Sequence, residues 1–177
     1  MLLALPPSAI VVQPWMQVAL GEIGVREDTR LAKSTPRIEA YHASTRGGIA
    51  PDDLSWCSSF INWVFLQVAI EGTRSKTASS WYTWGDPVDP KNPKALKFGC
   101  VVLMAKSDPD AGGSGHVGLN MGATGKSFFL IAGNQSQRVD IGLREQINIV
   151  ATRMPTQAMI AGMCAALGLP APALPVA

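Results

Sequence analysis

The sequence predicts an α+β domain, and three observations carry the prediction. Apolar residues recur at helical spacing through the first part of the chain. From Cys100 onward they give way to short β-branched or aromatic runs parted by Gly, Ser, Asp and Asn. A length of 177 residues, 47% hydrophobic and only 16% charged, supplies one sizeable core. Helices first and strands second is the α+β arrangement.

Pro14 opens the first helix, in "PWMQVALGEIG", because the first amide of a helix has no partner to lose; Gly24 closes it. In "TPRIEAYHAS", Thr35 is placed to cap a helix with Pro36 at its first position and an end near Ser44. After the loop "RGGIAPDDL", Ser55 is placed to cap the most strongly marked helix, from Trp56 to about Glu71. Phe60, Trp63, Val64 and Gln67 trace one side of it, and Ile61, Phe65 and Val68 widen the apolar surface, so burial on most faces is expected, with Trp63 in the core. Gly72 suits a left-handed stop. "SSWYTWG" reads as a short turn or helix, and "DPVDPKNPK" holds too much proline for a regular element. "CVVLMA", "HVGLNMG", "SFFLIAG" and "INIVATRM" read as the strands of an antiparallel meander. The expected organisation is a segment 1–13, a domain 14–155, and a segment 156–177 with a short outer helix, "TQAMIAGMCAALG", and a loose Pro/Ala-rich tail.

Composition narrows the function classes. Fifteen basic and 13 acidic residues give a formal charge of +2, scattered without the basic runs of a nucleic-acid groove, so no nucleic-acid partner is expected. Cys57, Cys100 and Cys164 are odd in number and far apart, with no C-x-x-C and only two histidines. Neither a disulfide framework nor a metal site is indicated, and no cofactor is expected. The first residues, "MLLALPPSAIVVQPW", lack the basic n-region of a signal peptide, and no run approaches a membrane span; synthesis in the cytoplasm without a standard export signal is expected.

The chemistry centres on "PDDLSWCSSFINW". Cys57 is either a small core residue or a nucleophile. A thiol attacks only as thiolate, and the unpaired amides and positive dipole end of a helix start both stabilise that anion and can hold an oxyanion afterwards. A base is then needed. His116, where the glycine-rich "GGSGH" enters a strand, is one candidate; His42, in the second helix, is the other. A third group must fix the imidazole. Asn134, in "IAGNQS" on the following strand, can reach it, although "GNQS" also reads as a turn.

Cysteine on a helix start, histidine on a strand and asparagine on the next strand resemble the papain-like cell-wall peptidases of the CHAP and NlpC kind. The segments "PRIEAYHAST", "DDLSWCSSFINW", "EGTRSKTASSWYTWG", "GHVGLNMG" and "IAGNQS" are similar to a subgroup found in phage and bacterial genomes, over residues from about 15 to 155. The resemblance implies a papain-like fold and a hydrolase of peptidoglycan amide bonds, with Cys57 as nucleophile, His116 as general base and then acid, and Asn134 as the orienting group. The chain departs from the pattern at Gly99-Cys100, where the subgroup has Gly-Asp, and at Trp56, where some related peptidases carry an acidic residue. Trp56, Ser58, Trp81, Trp84 and Asp53 are the candidate substrate-binding residues; aromatic faces pack on sugar rings, and Asp53 could meet a substrate amine. The implied setting is a monomeric phage lysis enzyme or secreted antibacterial effector acting in the periplasm or outside the cell, with an immunity protein or delivery machinery as further partners. A non-catalytic wall-binding module and a thiol acyltransferase are the competing classes.

Overall fold

The computed structural model describes residues 13–30, 34–108, 110 and 113–170. Among them are four α-helices, α1 (Pro14–Gly21), α2 (Pro36–Ala43), α3 (Cys57–Leu66) and α4 (Gln157–Leu167). The strands are β1 (Asp86–Pro87), β2 (Val101–Met104), β3 (His116–Thr124), β4 (Ser127–Gln135), β5 (Arg138–Glu145) and β6 (Ile149–Met154). They form one antiparallel sheet in the order β1-β6-β2-β3-β4-β5. The class is α+β, as the sequence predicts. The meander holds from β2 to β5, after which the chain returns to lay β6 beside β2. No helix among the described residues is long and apolar enough to cross a membrane.

Several boundaries differ from the sequence reading, each for a local reason. The cap of α3 is Trp56 and not Ser55, and no side chain caps that helix. The helix stops at Leu66, where the Ile70 N–H turns back to the Phe65 carbonyl at 3.0 Å and Ala69 takes φ 57°. Gly72 is therefore not the stop; it is required because a Cβ there would run into the Asn62 side-chain amide, with the Trp81 ring behind it at 3.2 Å. α1 ends at Gly21, and Gly24 instead takes φ 92° in a turn that pairs with β5, its N–H reaching the Val139 carbonyl at 3.0 Å. β5 was absent from the sequence reading. It follows a two-residue hairpin loop, Ser136 and Gln137, whose consecutive positive φ values of 49° and 63° are those that match the twist of paired strands.

The sheet has two buried faces. Val101, Leu103, Val117, Leu119, Ile131 and Ala151 pack under α1–α3, while Val102, Met104, Phe128, Leu130, Ala132 and Ile149 form a second cluster on the other side, joined by Val88 and Leu96. α4 is capped by Thr156, whose side chain accepts the Met159 N–H at 3.2 Å, and ended by left-handed Gly168. It is not wholly peripheral: Met163 and Cys164 join the first core. Residues 1–12 and the tail from 171 lie outside the described residues.

α3 packs on β3 and β4, and the closest approach is at Gly133. A Cβ there would lie 2.5 Å from the Trp56 ring and 2.8 Å from the Phe60 Cβ, so helix start and strand meet only because this position has no side chain. Gly133→Ala should lower the unfolding free energy by about 1–3 kcal/mol, the usual cost of overpacking. Gly162, with open space around it in α4, is the control. Gly162→Ala should raise stability by up to about 1 kcal/mol through helix propensity. Urea denaturation of both variants checks the pair of signs.

Candidate functional site

Cys57 is the first residue of α3 and is 1% exposed. Since Trp56 supplies no capping side chain, the first amides of the helix are left to other partners. Burial pushes the thiol above its ordinary pKa, opposed by the Val117 N–H, the Ser55 hydroxyl and the N–H groups of Ser58 and Cys57. Ser55 Oγ lies 4.0 Å from Sγ, and Asn134 Nδ2 donates to that same hydroxyl at 3.5 Å. Asn134 reaches it from a left-handed conformation, φ 58°, where the β4–β5 pairing skips between Ala132 and Gln135. The structure thus brings Cys57 and Asn134 together through Ser55.

His116 begins β3 and is fully buried. Its cross-strand partner Met104 belongs to the second cluster, whereas the next residue, Val117, packs with Cys57 in the first. Strand alternation therefore sends the imidazole to one face and the amide that meets the thiol belongs to the residue beside it. Neither ring nitrogen makes a hydrogen bond of good geometry, to Cys57 or to any other described residue. Around the ring stand Asp108, Asp110, Arg144 and Gln135. Arg144 Nε is 3.1 Å from Asp108 Oδ2, and its Nη2 bonds Asp110 Oδ2 and, at 2.7 Å, Gln135 Oε1. Burial pulls the imidazole down from about 6.5 to about 4; the two aspartates oppose this and Arg144 adds to it.

Asp108, Asp110 and His116 hold potential ligand atoms within 4.8 Å of one another. The cation already meeting both carboxylates is Arg144, and their remaining oxygens accept the N–H groups of Asp110 and Ser136. This donor set is that of an ion-pair cluster, not of an open metal site.

The candidate substrate-binding residues separate clearly. Trp56 and Trp81 are fully buried and Trp84 is 7% exposed, so their rings present no groove wall. Trp56 Nε1 donates to Glu27 at 2.8 Å. Trp81 Nε1 donates to Ser58 Oγ, which itself donates to the Ser75 carbonyl, and Trp84 packs on Phe65 with centroids 4.8 Å apart. Large rings on an apolar helix face gain more by burial than by exposure, which is the correction to the groove expectation. Trp63, expected in the core, is half-buried with the Arg37 guanidinium over its face at 4.3 Å. Asp53 is exposed, while Asp52 is buried and accepts the backbone N–H groups of Asp28 and Thr35. His42 is buried too, its Nδ1 2.9 Å from Ser59 Oγ, tying α2 to α3. Sequence reasoning missed Ser55, Gln135, Arg144 and the aspartates; "SDPD" ahead of "GGSGH" and the alternation of "RVDIGLRE" were the available signals.

Both histidines are held neutral below their ordinary pKa, with burial as the leading cause. Unfolded, both take up protons near 6.5, so the stability this represents is complete above that value and is lost as the pH falls, for His116 towards about 4. Each unit of depression corresponds to about 1.4 kcal/mol. Denaturant midpoints across this window should fall with pH, and His116→Gln should flatten the fall while leaving the share of His42. An equally steep fall in that variant would show that His116 is not the buried neutral group.

No family model matches the chain, and no curated protein matches it. Among solved structures it is similar to a protein of Staphylococcus aureus subsp. aureus Mu50 described as similar to a lipoprotein of the NLP/P60 family, with 16% identity and a TM-score of 0.46. The likeness covers 82% of this chain and 41% of that one, so the chain spans well under half the length of its structural neighbour.

Proposed function

We propose that the chain is a cysteine-dependent amide hydrolase of papain-like type that acts on the peptidoglycan of the bacterial cell wall. The observation that carries this reading is the seat of Cys57: a thiol at a helix start, with Ser55 Oγ 4.0 Å from its sulfur and tied in turn to Asn134, packed in one core with Val117, the residue that follows the buried His116. Amide donors fixed before the reaction cost no reorganisation when charge develops.

In this reading His116 takes the proton of the Cys57 thiol, and the thiolate attacks the carbonyl carbon of a wall amide. The helix-start amides receive the oxyanion, His116 returns its proton to the leaving amine, and water then releases the acyl group from sulfur. Ser55 and Asn134 orient the sulfur. Because no hydrogen bond joins imidazole and thiol at rest, the proton crosses once substrate or a water bridges them; catalytic hydrogen bonds commonly tighten only with substrate bound. The bond cut is a stem-peptide bond or the N-acetylmuramoyl-L-alanine amide. The enzyme serves as a phage lysis protein or secreted effector reaching the wall from the periplasm or from outside.

Purified sacculi test this directly. Wild type should release soluble fragments with new amino termini, Cys57→Ala should release none at unchanged melting temperature, and the double variant Cys100→Ala, Cys164→Ala should retain hydrolysis. Binding to sacculi without release of fragments by wild type would identify a binding module, and transfer of the acyl group to an added amine an acyltransferase.

A further inference from the structure

We infer that Asp108 is the electrostatic partner of His116: its buried carboxylate, held in an ion pair with Arg144, lies beside the ring and balances the positive charge that the ring acquires when the Cys57 proton reaches it. The inference rests on the hydrolase reading for its catalytic consequence, but the pairing itself is a property of the fold.

Four observations lead to it. The Asp108 side chain is 0% exposed, and those of Arg144 and Asp110 are 11% and 18% exposed, so the cluster is shielded from water. Its charges do not cancel. Two carboxylates face one guanidinium, and a proton on the adjacent imidazole restores neutrality, since carboxylate oxygens and a ring nitrogen lie within 4.8 Å. Asp108 is held at both oxygens, Oδ1 accepting the Asp110 N–H at 3.0 Å and Oδ2 lying 3.1 Å from Arg144 Nε in an ion pair without hydrogen-bond geometry. His116, finally, has both ring nitrogens buried without a hydrogen bond, and Asn134, the orienting group the sequence suggested, gives its amide to Ser55.

The proton step balances simply: the S–H bond of Cys57 breaks, an N–H bond forms on His116, and thiolate and imidazolium result. The groups that face the ring are Asp108 and Asp110 from the loop before β3, Gln135 at the end of β4, Arg144 on β5 and uncharged Met104 on β2, with Cys57 across the β3 backbone. An opposite charge at this distance raises the proton affinity of an imidazole by about tenfold or more. A clasp that only held the loop would stabilise the fold without setting that affinity.

The experiment is an NMR titration of the two histidine rings in the full chain, assigned with His42→Gln. Asp108→Asn should weaken proton binding at His116 by about tenfold or more and leave His42 unmoved. On sacculi it should lower kcat with little change in KM and alter the pH profile, with Asp108→Glu restoring part of both. An unmoved His116 titration in folded Asp108→Asn overturns the inference. If Asp108→Asn does not fold, Asp108→Ser removes the same charge with a smaller side chain, and an unmoved titration there overturns it equally. Should wild type not hydrolyse sacculi, the hydrolase reading fails while a shifted titration still upholds the pairing.

Discussion

The contact on which the rest of the molecule depends is the seating of the α3 N-terminus on β3 and β4. Gly133 lets the Trp56 ring and Phe60 settle on the strand, and that depth brings Sγ of Cys57 to the backbone of Val117. Trp56 is held from its other end by Glu27, which arrives on the segment paired to β5 through Gly24, Val25 and Val139. Helix, sheet and loop therefore converge on one ring. The thiol environment is a consequence of that packing before it is a chemical device, because Cys57 is the first residue of the helix so seated.

β3 acts as a partition. On its helix side lie Cys57, Ser55 and Asn134; on its other side lie His116 and the charged cluster of Asp108, Asp110 and Arg144. Charges buried without partners are costly, so Arg144 and backbone N–H groups occupy the carboxylate oxygens. What they leave over is a net negative charge next to a neutral ring. In the proposed hydrolase reading, thiol and imidazole are thus prepared separately, one at a helix start and the other by an ion cluster.

Much of this was legible in the sequence. Pro36 after Thr35, the apolar spacing of α3 and the four apolar strand runs gave elements that the structure contains, because each follows from local sterics or periodicity. Other features depend on contacts distant in the chain. Gly72 looks like a helix stop, but its lack of a side chain answers to the Asn62 amide and, behind it, to Trp81, an approach that no local pattern reveals. β5 was missed because Asp140, Gly142 and Arg144 dilute its apolar content. Its period-2 alternation of Val139, Ile141 and Leu143 was nevertheless present, half solvated as an edge strand is. Trp81 and Trp84 suggested a groove only while their neighbours were unknown; beside Phe65 they are core. The histidine environment was least accessible, since it unites Asp108, Gln135 and Arg144 from three separate segments.

Burial sets the resting state of the pair. It raises the thiol pKa and lowers that of the imidazole, so near neutral pH both groups are uncharged, and the amides on one side and the aspartates on the other oppose this without reversing it. A pair held in this way is protected from adventitious oxidation, because the thiolate is the reactive form. It acquires charge only when something adds to the partial stabilisation already in place. A bound carbonyl whose oxygen takes the helix-start amides as its transition state forms would do so, and the imidazolium made at the same moment would find its counter-charge already fixed at Asp108. In the proposed hydrolase reading, the partition at β3 and the depth at Gly133 serve one end: keeping two opposite charges latent until a substrate makes both favourable together.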